Sequence, residues 1–137
     1  MTDTLTLDGC DALEEMTALA QWIDTVAMRQ DLTRSERFRL EMVLTESVTN
    51  VIDHAFSAES PGPITVSISC SDAEIKATVI DKGQPFNPLT HSIPERSRSL
   101  EEAAIGGAGI SLIRHFVDEC SYQRNDHDNQ LTMRILR

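Results

Sequence analysis

The sequence is poor in basic residues. Its 137 residues include 12 Lys and Arg against 22 Asp and Glu, and the formal net charge is −10 at pH 7. Binding to nucleic acid requires Lys and Arg at the phosphates, and attraction to an anionic lipid surface requires the same side chains. The composition therefore argues against both partners. Because the chain as a whole would repel ATP, a phosphate site in it must use local dipoles and glycine amides.

Cysteine is scarce, and long apolar runs are missing. The three cysteines, Cys10, Cys70 and Cys120, are far apart and odd in number, which fits neither a disulfide framework nor a zinc-binding spacing. No apolar run approaches the length of a membrane span, and the acidic N-terminal segment lacks the layout of a signal peptide. We therefore expect a cytoplasmic protein with reduced cysteines that forms one domain over residues 1–137.

Hydrophobic periodicity predicts two helices in the first half of the chain. Apolar residues recur at helical spacing after Asp11 and again after Thr33, and each of these residues is followed three positions later by glutamate, as in a capping box. We expect the second helix to be long and to end at about Phe56.

Strict alternation of apolar and polar residues predicts the strands. It occurs at residues 4–7, 64–70 and 74–81, and residues 121–125 and 131–136 are expected to form two closing strands. Residues 84–105 are rich in Pro, Ser, Arg and Glu without a period, which indicates a long functional loop, and a last helix is expected from Ile110 to Cys120. This order predicts an α+β fold, a two-layer α/β sandwich in which a mostly antiparallel sheet carries helices on one face.

The long helix carries a polar stripe. Glu46, Asn50 and Asp53 are spaced by four and three residues, which places them on one face, opposite the apolar stripe. An Asn oxygen suits magnesium, which takes few protein ligands beside phosphates and water, and a Glu can accept a proton from an attacking hydroxyl. On its own, such a stripe is more often a solvated helix face.

An aspartate ends the second apolar strand, and a glycine follows two residues later. A carboxylate at Asp81 can accept a hydrogen bond from the exocyclic amine of a purine, and Gly83 would let the backbone turn close to a flat base. An Asp-x-Gly turn that binds nothing is the alternative interpretation.

Glycines cluster before the last helix. Gly106, Gly107 and Gly109 precede Ile110, and glycine is a poor helix former. Free amides and the positive end of a helix dipole favour phosphate. The segment is not a Walker A loop, because no Lys follows, and not a Rossmann turn, because it does not follow a strand. A plain turn is the alternative, although the preceding loop is typical of a nucleotide lid.

The three motifs in this order resemble a known ATP-binding fold. TESVTNVIDHAF, VIDKGQPF and GGAGISLIRHFVDE, separated by a hairpin and a long loop, are similar to the Bergerat fold of gyrase, histidine kinases and MutL, the GHKL superfamily. Within that group the chain resembles the small anti-sigma factor serine/threonine kinases of the partner-switching type. The resemblance covers essentially the whole chain and includes the closing YQRNDHDNQLTMRIL.

This resemblance implies a role for each motif. Asn50 would bind the magnesium that bridges the ATP phosphates, and Glu46 would be the general base toward a protein serine or threonine. Asp81 would accept a hydrogen bond from the adenine amine, with Gly83 beside the ring. Backbone amides would face the phosphates at Gly106, Gly107, Ala108, Gly109 and Ile110. A threonine of the last strand, Thr132, would support the adenine site through water.

The resemblance also implies partners. The substrate would be a STAS-domain anti-sigma factor antagonist phosphorylated on serine, and the kinase, often a homodimer in this family, would also hold a sigma factor or another regulator. One departure supports an alternative function. Residues 103–105 are Ala-Ala-Ile, where some relatives carry an arginine for the terminal phosphate, and the nearest upstream basic residues are Arg96 and Arg98. A nucleotide-gated binding module with negligible phosphotransfer, or an acidic interaction domain without nucleotide, would also suit such a chain.

Overall fold

The computed structural model describes residues 2–9, 11–56, 62–90 and 109–137. Its elements are β1 (Thr2–Leu7), α1 (Ala12–Arg29), α2 (Arg34–Asn50), a π-helical turn (Val51–Ala55), β2 (Ile64–Cys70), β3 (Glu74–Asp81), α3 (Gly109–Phe116), β4 (Glu119–Asn125) and β5 (Asp128–Leu136). The predicted order of helices and strands is confirmed. None of the described helices is long and apolar enough to cross a membrane.

The five strands form one antiparallel sheet in the order β1-β2-β3-β5-β4. Alternate residues of its central strands are buried under the helices, as the period of two predicts. Val66, Val79 and Leu131 lie in one row across three strands and are all buried. The fold is therefore the expected α+β sandwich with helices on one face of the sheet.

Side-chain caps fix both helix starts where the sequence predicts them. The Thr33 hydroxyl accepts from the Glu36 amide at 3.1 Å, and the Glu36 carboxylate accepts from the Thr33 amide at 2.9 Å, which is a complete capping box. The Asp11 carboxylate accepts from the amides of Leu13 and Glu14 at 3.0 and 3.3 Å. These bonds are local in sequence, so short motifs identify them.

The predicted long helix changes form before its expected end at Phe56. The α-helix stops at Asn50, and Val51–Ala55 form a π-helical turn. The Phe56 amide closes this turn on the Val51 carbonyl, five residues earlier, at 2.9 Å. Turns of this kind within helices are frequent at functional sites.

The last helix is shorter than predicted, because long-range partners end it. It stops at Phe116, and Cys120, which we expected in the helix, lies in β4. Arg39 Nε of α2 donates to the Phe116 carbonyl at 2.7 Å. The Asp118 amide then donates to the Arg134 carbonyl of β5 at 2.9 Å, so the chain joins the sheet two residues after the helix.

The final hairpin is also tighter than predicted. The expected five-residue connection over 126–130 is only two residues long, because β4 continues to Asn125 and β5 begins at Asp128. Asp126 turns the chain with a φ of 31°, a conformation that Asp tolerates better than most residues. The longer β5 brings Asn129 into the sheet.

Candidate functional site

A small cavity of about 20 Å³ lies between the end of α2 and the sheet. Ser47 and Asn50 of α2 line one side of it, Asp81 at the end of β3 lines the floor, and Tyr122 and Asn129 of the β4–β5 hairpin line the opposite side. Two of the predicted site residues, one on a helix and one on a strand, therefore face the same space.

Asp81 is held in one orientation at the cavity. It is 3% exposed, and its Oδ1 accepts from the Gly83 amide at 2.8 Å and from Asn129 Nδ2 at 2.9 Å. Burial raises the pKa of the Asp81 carboxyl, and these hydrogen bonds oppose the shift. Within the described residues no group donates to Oδ2, so this oxygen is available to accept a hydrogen bond from a ligand.

Asn129 is a site residue that the sequence analysis missed, because it lay in the supposed turn. It is the direct cross-strand partner of Asp81 and is 4% exposed. Its Nδ2 also donates to the Gln84 carbonyl at 2.8 Å, and its Oδ1 accepts from the Tyr122 hydroxyl at 2.5 Å and the Phe86 amide at 3.3 Å. The sequence does carry a signal for this residue. Asn129 lies two positions before Leu131, so a longer strand would place it on the same buried face.

Thr132 does not reach the cavity, contrary to expectation. Successive side chains of a strand point to opposite faces, and Leu131 and Met133 on either side of Thr132 are buried in the core. Thr132 instead lies in a row with Thr78 and Ser121 on the other face of the sheet. Its predicted support of an adenine site is therefore wrong for this geometry, and Asn129 occupies the position beside Asp81.

Glu46 lies one helical turn before Asn50 and is half-buried. Burial raises the pKa of the Glu46 carboxyl, the negative charge of Asp53 raises it further, and His54 opposes the shift. The residues of the polar stripe differ in exposure, since Asn50 is buried and Asp53 is exposed. A half-buried carboxyl with a raised pKa is suited to accept a proton near neutral pH.

The Asn50 side chain fits the magnesium role. It is 8% exposed and lines the cavity, and in the described ranges its amide makes no hydrogen bond to protein, so its oxygen is free to bind a ligand in the cavity. No cluster of three or more His, Cys, Asp or Glu that could hold a metal occurs among the same residues. One amide oxygen beside phosphates and water matches the coordination that magnesium prefers.

The segment after β3 is clamped to the π-helical turn. The Gln84 amide donates to the Ala55 carbonyl at 2.9 Å, and Gln84 Nε2 donates to the His54 carbonyl at 2.8 Å. A Cβ at Gly83 would lie 2.5 Å from the Ala55 carbonyl oxygen. The requirement for glycine there comes from this contact with the helix end, and Gly83 is not among the residues that line the cavity.

The predicted phosphate cradle is described only in part. Gly109 and Ile110 are the first residues of α3, as expected for amides at a helix start. Gly106, Gly107 and Ala108, together with Arg96 and Arg98, lie outside the described residues. Further along α3, Ile113 is fully buried in the core, which fixes the helix against the sheet.

Sequence comparisons show what the chain is similar to. A profile of the histidine kinase-like ATPase domain matches residues 11–135. The serine/threonine-protein kinase BtrW of Bordetella bronchiseptica is 34% identical over 132 residues, which are 96% of this chain and 92% of that protein. The anti-sigma F factor of Bacillus thuringiensis is 28% identical over 103 residues, 70% of this chain and 66% of that factor.

Two solved structures share the fold. The structure of the RsbU and RsbW domains of Rv1364c from Mycobacterium tuberculosis matches with a TM-score of 0.71 at 16% identity, over 99% of this chain and 32% of that chain. The SiaB-SiaC complex from Pseudomonas aeruginosa matches with a TM-score of 0.56 at 13% identity, over 97% of this chain and 89% of that chain. The profile match over residues 11–135 and the 34% identity to the BtrW kinase show that the chain belongs to the histidine kinase-like ATPase family.

Proposed function

We propose that this protein is an ATP-dependent protein serine kinase of the cytoplasm that acts as an anti-sigma, partner-switching regulator. The observation that carries the proposal is the convergence of Asn50 and Asp81 on one cavity, with Glu46 one helical turn from Asn50. These residues supply a magnesium ligand, an acceptor for a base and a proton acceptor. Phosphoryl transfer depends mainly on positioning and charge neutralisation, so this short set is chemically sufficient.

The proposed site has counterparts for the adenine and for the phosphates of ATP. Oδ2 of Asp81 accepts from the adenine amine, while Oδ1 is occupied by protein donors. Asn50 contributes its amide oxygen to a magnesium ion, which supplies charge neutralisation at the phosphates. The backbone amides of 106–110 are proposed to face the phosphates at the start of α3, where the helix dipole favours negative charge.

Glu46 is proposed as the general base. Its carboxylate accepts the proton of the serine hydroxyl as the serine oxygen forms a bond to the γ-phosphorus, and the bond from that phosphorus to the β–γ bridging oxygen breaks to release ADP. The raised pKa of Glu46 makes the carboxylate a stronger proton acceptor than an exposed glutamate. Partial burial restricts competing water at the same position.

The partners follow from the similar proteins. The match to a serine/threonine-protein kinase over 96% of the chain supports protein phosphorylation, and the match to an anti-sigma F factor supports a regulator as the second partner. We propose a STAS-domain anti-sigma factor antagonist as the phosphorylated substrate. A sigma factor or another regulator is the sequestered partner, held by a homodimer of this chain.

The test is phosphotransfer from γ-labelled ATP with magnesium to a STAS-domain protein encoded nearby. We expect labelled phosphoserine on the partner with the wild type, loss of label with Glu46→Gln and Asn50→Ala, and full labelling with Glu41→Gln. Glu41 is a matched control, since it is a partly exposed glutamate of the same helix that pairs with Arg37. Full labelling by Glu46→Gln would contradict the role of Glu46.

The same test also distinguishes the kinase from a second candidate function. The absence of a basic residue at 103–105 favours a nucleotide-gated binding module. ATP binding that changes partner affinity, without labelled partner, would favour that module over the kinase. Lack of any ATP binding would overturn both.

A further inference from the structure

We propose that Asn129 is a positioning residue that sets the preference of the site for a base bearing an amino group. The proposal rests on the ATP site proposed above and concerns a residue that acts through Asp81. It is drawn from the hydrogen bonds of one buried side chain, all of which lie within the described residues.

The Asn129 amide is saturated in a single orientation. An asparagine side chain offers two N–H donors and a carbonyl oxygen with two lone pairs. Nδ2 donates to Asp81 Oδ1 and to the Gln84 carbonyl, and Oδ1 accepts from the Tyr122 hydroxyl and the Phe86 amide. A flipped amide would place its oxygen against two acceptors, so these neighbours fix which end faces Asp81.

This orientation decides what Asp81 can bind. With Gly83 and Asn129 both donating to Oδ1, the carboxylate presents Oδ2 to the cavity. A carboxylate oxygen accepts a hydrogen bond from an amine but repels a carbonyl oxygen. By holding Oδ1, Asn129 therefore helps Asp81 to favour a purine with a 6-amino group over one with a 6-oxo group or with hydrogen at that position.

The Asn129 amide that holds Asp81 also binds the backbone of the segment after β3. Gln84 and Phe86 flank Pro85, and both are held by Asn129 through backbone atoms. Gln84 is also bonded to the π-helical turn that follows Asn50. Asn129 thus links Asp81 directly to the backbone that borders the cavity.

Tyr122 supports this arrangement through its hydroxyl. Its O–H is one of the two donors to Asn129 Oδ1, at 2.5 Å, and its ring lines the cavity. Removing the hydroxyl alone keeps the ring and leaves the Phe86 amide as the remaining donor. The amide orientation would then be defined less strongly, and the preference for the amino group would fall by less than on loss of Asn129.

The experiment measures dissociation constants for ATP and for purine riboside 5′-triphosphate, which lacks only the 6-amino group. We expect the wild type to prefer ATP by about tenfold or more, the value of a hydrogen bond to a charged group. Asn129→Leu should show a clearly smaller preference, since only the Gly83 amide then holds Oδ1 of Asp81, and Tyr122→Phe should retain an intermediate preference. Asn125→Leu, an exposed asparagine of the same hairpin, should behave as the wild type.

A role in folding alone would not produce this pattern, because it would weaken both ligands equally. Hydrogen exchange of the Phe86 amide gives a second readout, and it should be faster in Asn129→Leu. If Asn129→Leu does not fold, Tyr122→Phe still tests the proposal through the ratio. An unchanged preference in every folded variant would overturn the role of Asn129 and leave the ATP site intact, whereas a wild type that binds no ATP would overturn the site itself.

Discussion

Buried polar residues locate the functional site at the scale of single residues. Six polar side chains of the described structure are buried: Asp3, Glu15, Ser47, Asn50, Asp81 and Asn129. Two of them have structural partners elsewhere, since Asp3 is paired with Arg29 and Glu15 accepts from backbone amides at the β1–α1 connection. The other four all line the cavity. Buried polar groups are uncommon because burial costs free energy unless they are hydrogen-bonded, and the convergence of four on one cavity supports the proposed binding site.

The pH dependence of phosphotransfer tests the environment of Glu46. Because its pKa is raised above the ordinary 4.5, the base is protonated and inactive up to a higher pH than an exposed glutamate would be. The rate should therefore rise with pH through that raised value. Asp53→Asn removes a nearby negative charge, so the acid limb of the pH–rate profile should move to lower pH.

The control for this prediction is Asp72→Asn, which removes an exposed carboxylate in the β2–β3 turn. It changes the net charge equally but should leave the acid limb in place. An acid limb that moves to higher pH in Asp53→Asn, or equally in both variants, would contradict the assignment of that limb to Glu46.

Gly83→Ala tests the contact between the loop and the helix end. The new methyl group would lie 2.5 Å from the Ala55 carbonyl oxygen, and the backbone must shift to admit it. We expect a loss of about 1–3 kcal/mol in the free energy of unfolding, measured in urea, as for other overpacked sites. Gly62→Ala is the control, because its Cβ meets the Phe56 ring only at 3.5 Å. Equal stability of both variants would show that the loop adjusts freely.

At the scale of elements, α2 and its π-helical turn build most of the site. The α-helical part presents Glu46, Ser47 and Asn50, and the turn presents two carbonyl groups to Gln84. The last carbonyl groups of a helix have no partner within it, and here two of them hold the segment after β3. The start of α2 is fixed separately by Thr33, so the helix is anchored at both ends.

Thr33→Ala should destabilise the protein by about 1 kcal/mol, the usual cost of losing an N-cap side chain. The hydroxyl satisfies the Glu36 amide, which has no helical partner. Thr25→Ala is the control, since its exposed hydroxyl only bonds the Gln21 carbonyl within α1. Urea unfolding of both variants measures the difference. A Thr25→Ala variant as unstable as Thr33→Ala would argue against a specific role for the cap.

At the scale of the whole molecule, net charge opposes the proposed ligand. The chain carries a formal charge of −10, and ATP is an anion, so long-range repulsion slows their encounter. Salt shortens the range of such forces from about 30 Å at 0.01 M to about 8 Å at 0.15 M ionic strength. Attraction to ATP must therefore arise from short-range contacts in the cavity.

The association rate of ATP should consequently increase with salt over this range. Stopped-flow measurement with a fluorescent ATP analogue in the presence of magnesium checks this expectation, and the dissociation rate serves as the internal comparison. An association rate that falls with salt would instead reveal local attraction by cationic side chains, for which Lys82, next to Asp81 in the sequence, and Arg124, which donates to the Gly83 carbonyl, are candidates.

The sequence by itself determined the features that depend on near neighbours in the chain. Caps at Asp11 and Thr33, alternation in the strands and the motifs at Glu46, Asn50 and Asp81 could all be predicted, because hydrogen bonds and periodicities over a few residues produce them. The fold class followed from the order of these elements. The roles proposed for Glu46, Asn50 and Asp81, and for the amides of residues 106–110, stay predictions.

Tertiary structure alone decided which distant residues complete the site. Strand register places Asn129 opposite Asp81 and sends Thr132 to the other face, and a shift of one residue would exchange the two faces. The π-helical turn and the end of α3 likewise depend on Gln84 and Arg39, which lie far away in sequence. Such contacts form only when the chain has folded, because a buried polar group takes its partner from the residues that packing brings beside it.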